Sequence, residues 1–125
     1  MVTEDYVSFE TAKLLKDKGF DEFTFSNYDE NGIAQFNEVE TKVAKGYQRP
    51  TLQMAMKWLR EVHNLYIEVS LSCDREDKNA KIFDASIFNI QNQRYKKLCN
   101  LQGYENACEA AIKYCFENLI LNNFE

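Results

Sequence analysis

The chain has a single histidine, His63, set among four cysteines and twenty acidic residues. Any catalytic chemistry would begin there. A Cys–His pair could supply a nucleophile, because such partners meet in space rather than in sequence. No cysteine stands at metal-ligand spacing from His63, which argues against zinc. His63 falls instead in the last turn of an expected helix, where partial positive charge suits the dipole. Acids crowd the first third of the chain: Glu4, Asp5, Glu10, Asp21, Glu22, Asp29, Glu30, Glu38 and Glu40. Paired carboxylates act as acid and base only when burial or proximity splits their pKa values, and these sit on caps, turns and solvent faces. Asp74-Arg75-Glu76-Asp77 lacks the glycine and the ligand spacing of a calcium loop. With four scattered glycines there is no phosphate-cradling loop. The residues therefore assign no catalytic, metal or cofactor site.

Chemistry of contact is better represented. Arg49, Lys57 and Arg60 form a candidate basic patch near one helix, with Tyr47 and Trp58 as stacking surface for a nucleic acid. The net charge of −5 and the pI of about 5.0 weigh against broad attachment to nucleic acid or anionic lipid. Tyr66, Phe88 and Tyr95 are the candidate interaction surface, three aromatics placed on the outer face of a sheet. Such a patch marks a protein partner or a homodimer interface, unless residues 37–49 fold over it.

The elements that must position these residues follow from patterning. Ser8 reads as an N-cap, Glu10 suits the first turn, and Gly19 is placed as the left-handed residue that ends a helix over 9–18, with Phe20 folding back onto Leu15. Phe23 and Phe25 alternate with Thr24 and Ser26 as a strand. Asp29-Glu30-Asn31-Gly32 is a turn, and residues 33–36 return as a hairpin. Residues 37–49 are expected to be mostly loop, a length that implies mobility, function or a hidden short strand.

Thr51 caps the second helix, whose apolar stripe is Leu52, Ala55, Met56, Leu59 and Val62, flanked by Trp58. Asn64 closes it. Leu65, Ile67, Val69 and Leu71 then alternate with polar residues as a half-buried strand. A charged turn is expected over 73–79. A strand follows over 81–90, with either Phe83, Ala85 and Ile87 or Ile82, Phe88 and Ile90 inward. A third strand covers 94–101. The last helix, from 104 or 105 to 121, buries Cys108, Ala111, Ile112, Cys115 and Leu119, and pairs Glu109 with Lys113 on its solvent face.

These elements predict an α+β fold in one domain, residues 1–125. It has an antiparallel sheet with helices packed mainly on one face and the order α-β-β-α-β-β-β-α. A hydrophobic fraction of 45% over 125 residues suits one real core. The first residues carry no signal peptide and no stretch reaches a membrane span. A cytoplasmic location with reduced cysteines is the expectation.

Lys57 to Ile67 (KWLREVHNLYI), together with YVSFETAKLLKDKGFDE near the start and YENACEAAIKYCFENLI near the end, resembles a family of small uncharacterised proteins from gut bacteria and their phages or mobile elements. That resemblance implies a small cytoplasmic accessory protein and no catalytic residues. The order from Thr51 to Leu121 is also similar to that of a double-stranded RNA-binding domain. That family docks phosphates with lysines at the start of its last helix. Tyr104-Glu105-Asn106-Ala107 stands there instead.

Overall fold

The computed structural model describes residues 4–72, 76–77 and 79–120. The elements run α1 (Phe9–Asp17), β1 (Thr24–Tyr28), β2 (Ala34–Thr41), β3 (Tyr47–Gln48), α2 (Leu52–His63), β4 (Leu65–Leu71), β5 (Ile82–Asn89), β6 (Tyr95–Gln102) and α3 (Tyr104–Tyr114). A π-helical turn, Cys115–Leu119, continues α3. The α+β class and the expected order hold, with one strand added. The strands form two antiparallel sheets of three, ordered β2-β1-β3 and β4-β5-β6. Residues 37–49 are largely strand rather than loop. β2 continues to Thr41, and Tyr47–Gln48 returns along the other side of β1. The charged turn expected over 73–79 lies mostly outside the described residues.

Local chemistry sets the helix ends. Ser8 Oγ accepts the Thr11 amide of α1 at 3.2 Å. At the other end Phe20 N–H reaches Leu15 O and Gly19 N–H reaches Lys16 O. These paired bonds release the chain through a left-handed Gly19. Thr51 caps α2 through the Met54 amide, and Asn64 at φ 58° turns directly into β4. The left-handed Asn64 is what lets helix and strand join without a linker.

One core cluster draws on both halves of the chain. α2 gives Leu52, Ala55, Met56, Trp58 and Leu59; α3 and its π turn give Cys108, Ala111, Ile112, Cys115 and Phe116. Both helices pack on the face of the second sheet that carries Leu65, Ile67, Ala85 and Ile87. This settles the inward face of β5 in favour of Phe83, Ala85 and Ile87, while Phe88 and Ile90 point out. Leu59 and Ile87 are essentially solvent-free, and each such side chain contributes about 1.5–3 kcal/mol by burial. α1 lies against β3, and the Tyr28 hydroxyl donates to Val7 O at 2.6 Å. Residues 5–7 are stitched to 50–52 by the Tyr6–Thr51 bridge, Val7 N–H to Pro50 O, and Leu52 N–H to Asp5 O.

Three expected core positions differ. Val62 is exposed, although it lies one helical turn past buried Trp58, which packs against Phe20 and Phe116. Leu71 is exposed near the far end of the sheet. Leu119 is exposed and Phe116 is buried in its place. In the π turn each residue advances the helix angle less than in an α-helix, so Leu119 lags behind the buried stripe.

Candidate functional site

Strand pairing decides which side chains share the open face of the second sheet. Tyr66 is opposite Phe88, and Phe88 is opposite Tyr95. Directly paired residues of antiparallel strands point to the same face, so the three aromatics line up in one row across β4, β5 and β6. Their neighbours in β4 and β5, Leu65, Ile67 and Ile87, are buried under the helices, which forces the row outward. Tyr66 and Phe88 ring centroids are 6.5 Å apart, and those of Phe88 and Tyr95 are 5.0 Å apart. Tyr66 is 38% exposed, Phe88 39% and Tyr95 55%. Ile90, two residues beyond Phe88, extends the apolar strip. β2 and β3, which hold residues 34–41 and 47–48, belong to the other sheet, and the row stays exposed.

One pleat along, the next row is Glu68, Ser86 and Lys97. Lys97 Nζ lies 3.7 Å from Asp84, whose other oxygen accepts the Asn100 amide at 3.2 Å. The Asp84 carboxylate beside Lys97 holds its amine above the usual lysine range. The outer face thus offers an aromatic strip bordered by an acid on β4 and a base on β6. That is a surface suited to contact.

The basic residues have separate surroundings. The Arg49 guanidinium sits 4.3 Å from the Tyr6 ring centre, 5.2 Å from Tyr28 and 5.3 Å from Phe36, and Nη1 donates to Ser26 Oγ at 3.0 Å. Its buried Nε has no hydrogen-bond partner among the described residues. Lys57 pairs with Glu61 at 3.9 Å and borders a hollow lined also by Glu22, Met54 and Trp58. None of the residues that Arg49 touches lines that hollow. Arg60 is half-buried in the last turn of α2. Tyr47, offered as stacking surface, packs on Phe9 under Lys16, and Trp58 is in the core.

His63 stands edge-on to Trp58, with ring centres 4.8 Å apart, and its buried Nε2 has no hydrogen-bond partner among the described residues. Burial, with Lys18 nearby, lowers its pKa. Position in the last turn therefore does not give it the stabilised positive charge expected from the dipole; desolvation outweighs that effect. Cys73 lies outside the described residues. Among the described residues no group of three His, Cys, Asp or Glu could hold a metal. Cys108 and Cys115 are free and buried, their thiols pushed up to about 11 and about 12 by desolvation, while Cys99 is free and exposed.

Two arrangements escaped the sequence. Glu109 does not pair with Lys113 on a solvent face. Its carboxylate accepts the Ser8 amide at 3.0 Å, the Ser8 hydroxyl at 3.3 Å and the hydroxyl of buried Thr11. Lys113 reaches Glu10 instead, at 2.9 Å. The second is a group of exposed apolar residues on the first sheet and its turn: Phe23, Phe25, Ile33, Phe36 and Val39. Thr24 and Ser26 are the buried members of the β1 alternation, satisfied by Thr24 Oγ1 to Ser26 O and Ser26 Oγ to Gln35 O. Alternation announced a strand there but carried no sign of which side faces in.

No family model, curated protein or solved structure matches the chain. No described helix is long and apolar enough to cross a membrane.

Proposed function

We propose that the protein is a small, non-enzymatic, cytoplasmic accessory protein that works by protein–protein contact through the outer face of its second sheet. The observation that carries this reading is the row Tyr66, Phe88 and Tyr95, held in register by two strand pairings and left open by every described element. Aromatic side chains are enriched where proteins bind, because they bury much area while losing few rotamers. Here their placement is fixed before a partner arrives, so little ordering is needed on docking.

Capture from the native cell with tagged protein tests it. Wild type retains a partner that Phe88→Ser and Tyr95→Ser lose, with circular dichroism unchanged. Equal capture by wild type and both variants would remove the site. The alternative, nucleic-acid contact through Arg49, Lys57 and Arg60, has less support, since Arg49 is held among rings and Lys57 beside acids. Under that alternative, binding weakens steeply with salt and is lost in Lys57→Ala with Arg60→Ala.

A further inference from the structure

We infer that the partner this face fits is a second copy of the same chain, docked sheet on sheet about a two-fold axis running along β5; the inference rests on the contact reading above. The register carries it. Two rows cross the outer face, Tyr66–Phe88–Tyr95 and, one pleat on, Glu68–Ser86–Lys97. A two-fold axis lying between two facing sheets and parallel to β5 exchanges β4 with β6 and keeps position along the strands. It sets Phe88 over Phe88 of the second copy, and Tyr66 over its Tyr95, twice. In the next row it sets Ser86 over Ser86 and Glu68 over Lys97, again twice. Each row is its own complement, apolar on apolar and acid on base, which is what a two-fold interface requires.

Sheets packed face to face cross at about 30°, and an axis along the mean strand direction permits that angle. An axis running across the strands through the aromatic row would stack the aromatics but carry Glu68 and Lys97 past the sheet end. Among the described residues of these strands, the other charged group at an outward position is Asp84. It is recessed, with one oxygen on the Asn100 amide and the other near Lys97. The two Asp84 carboxylates therefore do not meet across sheets spaced about 10 Å apart.

The footprint sets the strength. Strands about 4.8 Å apart and about 3.4 Å per residue along seven residues give a face of about 14 by 24 Å. That is about 340 Å² a side, below the size of standard specific interfaces, so the dimer is a weak and readily dissociating one.

Sedimentation velocity from 10 µM to 1 mM tests this on wild type, Glu68→Lys, Lys97→Glu and an equimolar mixture of the two variants. Wild type dimerises. Each variant alone sets like charges opposite each other twice and weakens the dimer at least tenfold. The mixture recovers wild-type association, because one chain then presents two bases and the other two acids. Glu68 has no ion pair among the described residues, so Glu68→Lys weakens the dimer even if Lys97→Glu, which removes the base beside Asp84, fails to fold. Dimers of both variants as tight as wild type, or a folded mixture that stays monomeric, would overturn the arrangement. A wild type monomeric at 1 mM, with a different protein captured through Phe88, would overturn the second copy and leave the contact reading standing. A monomer with no Phe88-dependent capture would end both.

Discussion

Replacing Glu109 by alanine is expected to destabilise the protein by about 2–3 kcal/mol. In a capping box, a Glu three residues after the N-cap reaches back to the N-cap amide. α1 has Thr11 at that position, and Glu109 of α3 supplies the missing carboxylate from another element. Alanine leaves the Ser8 amide without its acceptor and deprives the hydroxyl of fully buried Thr11 of its anionic partner. A lost cap costs about 0.5–2 kcal/mol and a hydrogen bond to a charged group about 1.5–3 kcal/mol. Part is recovered because the Thr11 hydroxyl can turn to Ser8 Oγ, 3.1 Å away, which places the sum near the stated range. For 125 residues the unfolding entropy is about 0.26 kcal/mol/K, so Tm falls by about 8–12 °C. Urea and thermal unfolding followed by circular dichroism measure it. Glu109→Gln, which keeps one acceptor, loses about half as much. Glu117→Ala, at an exposed acid on the π turn, changes stability by less than about 0.5 kcal/mol. In a double-mutant cycle, Thr11→Val and Glu109→Gln couple by about 1 kcal/mol. If Glu109→Ala is no more destabilising than Glu117→Ala, the shared cap does not hold α1 to α3.

Gly46→Ala is expected to destabilise far more than Gly19→Ala. Both glycines have positive φ, but an added Cβ at Gly46 would strike the Tyr28 carbonyl, whereas at Gly19 it meets nothing within 4 Å; Gly19→Ala then costs only the left-handed backbone, about 1–2 kcal/mol. Native alkylation with iodoacetamide, followed by mass spectrometry, should modify Cys99 and spare Cys108 and Cys115, whose thiols are buried and held protonated. His63 has a lower pKa folded than unfolded, so protonation favours the unfolded chain. Its contribution is complete above about pH 6.5 and is lost as pH falls from there through the folded value. His63→Gln should flatten that part of a urea-midpoint profile.

The helix ends were legible because a single residue type does each job: Ser8 and Thr51 as caps, Gly19 and Asn64 as left-handed exits. The outward aromatics were legible only in part. Leu65, Ile67 and Val69 after Asn64 marked one face of β4 and so set Tyr66 outward, but the pattern of β5 admitted either face, and only its pairing with β4 and β6 places Phe88 beside Tyr66 and Tyr95. What stayed hidden depends on long-range geometry. Nothing local says that Glu109 would find Ser8 rather than Lys113, since the partners are about a hundred residues apart. The π turn that rotates Leu119 outward leaves no mark in the spacing. β3 is two residues long and exists only because β1 offers it an edge. Phe23 and Phe25 were readable as strand, yet their exposure follows from buried polar partners of Thr24 and Ser26 that no pattern reveals.

The most direct test of the account places a photo-reactive benzophenone side chain at position 88 and, as a control, at exposed Lys13 on α1, and irradiates both proteins in the native cell. A covalent adduct from position 88 and none from position 13 is the result the account predicts. An adduct from position 13 with only unmodified chain from position 88 would contradict it.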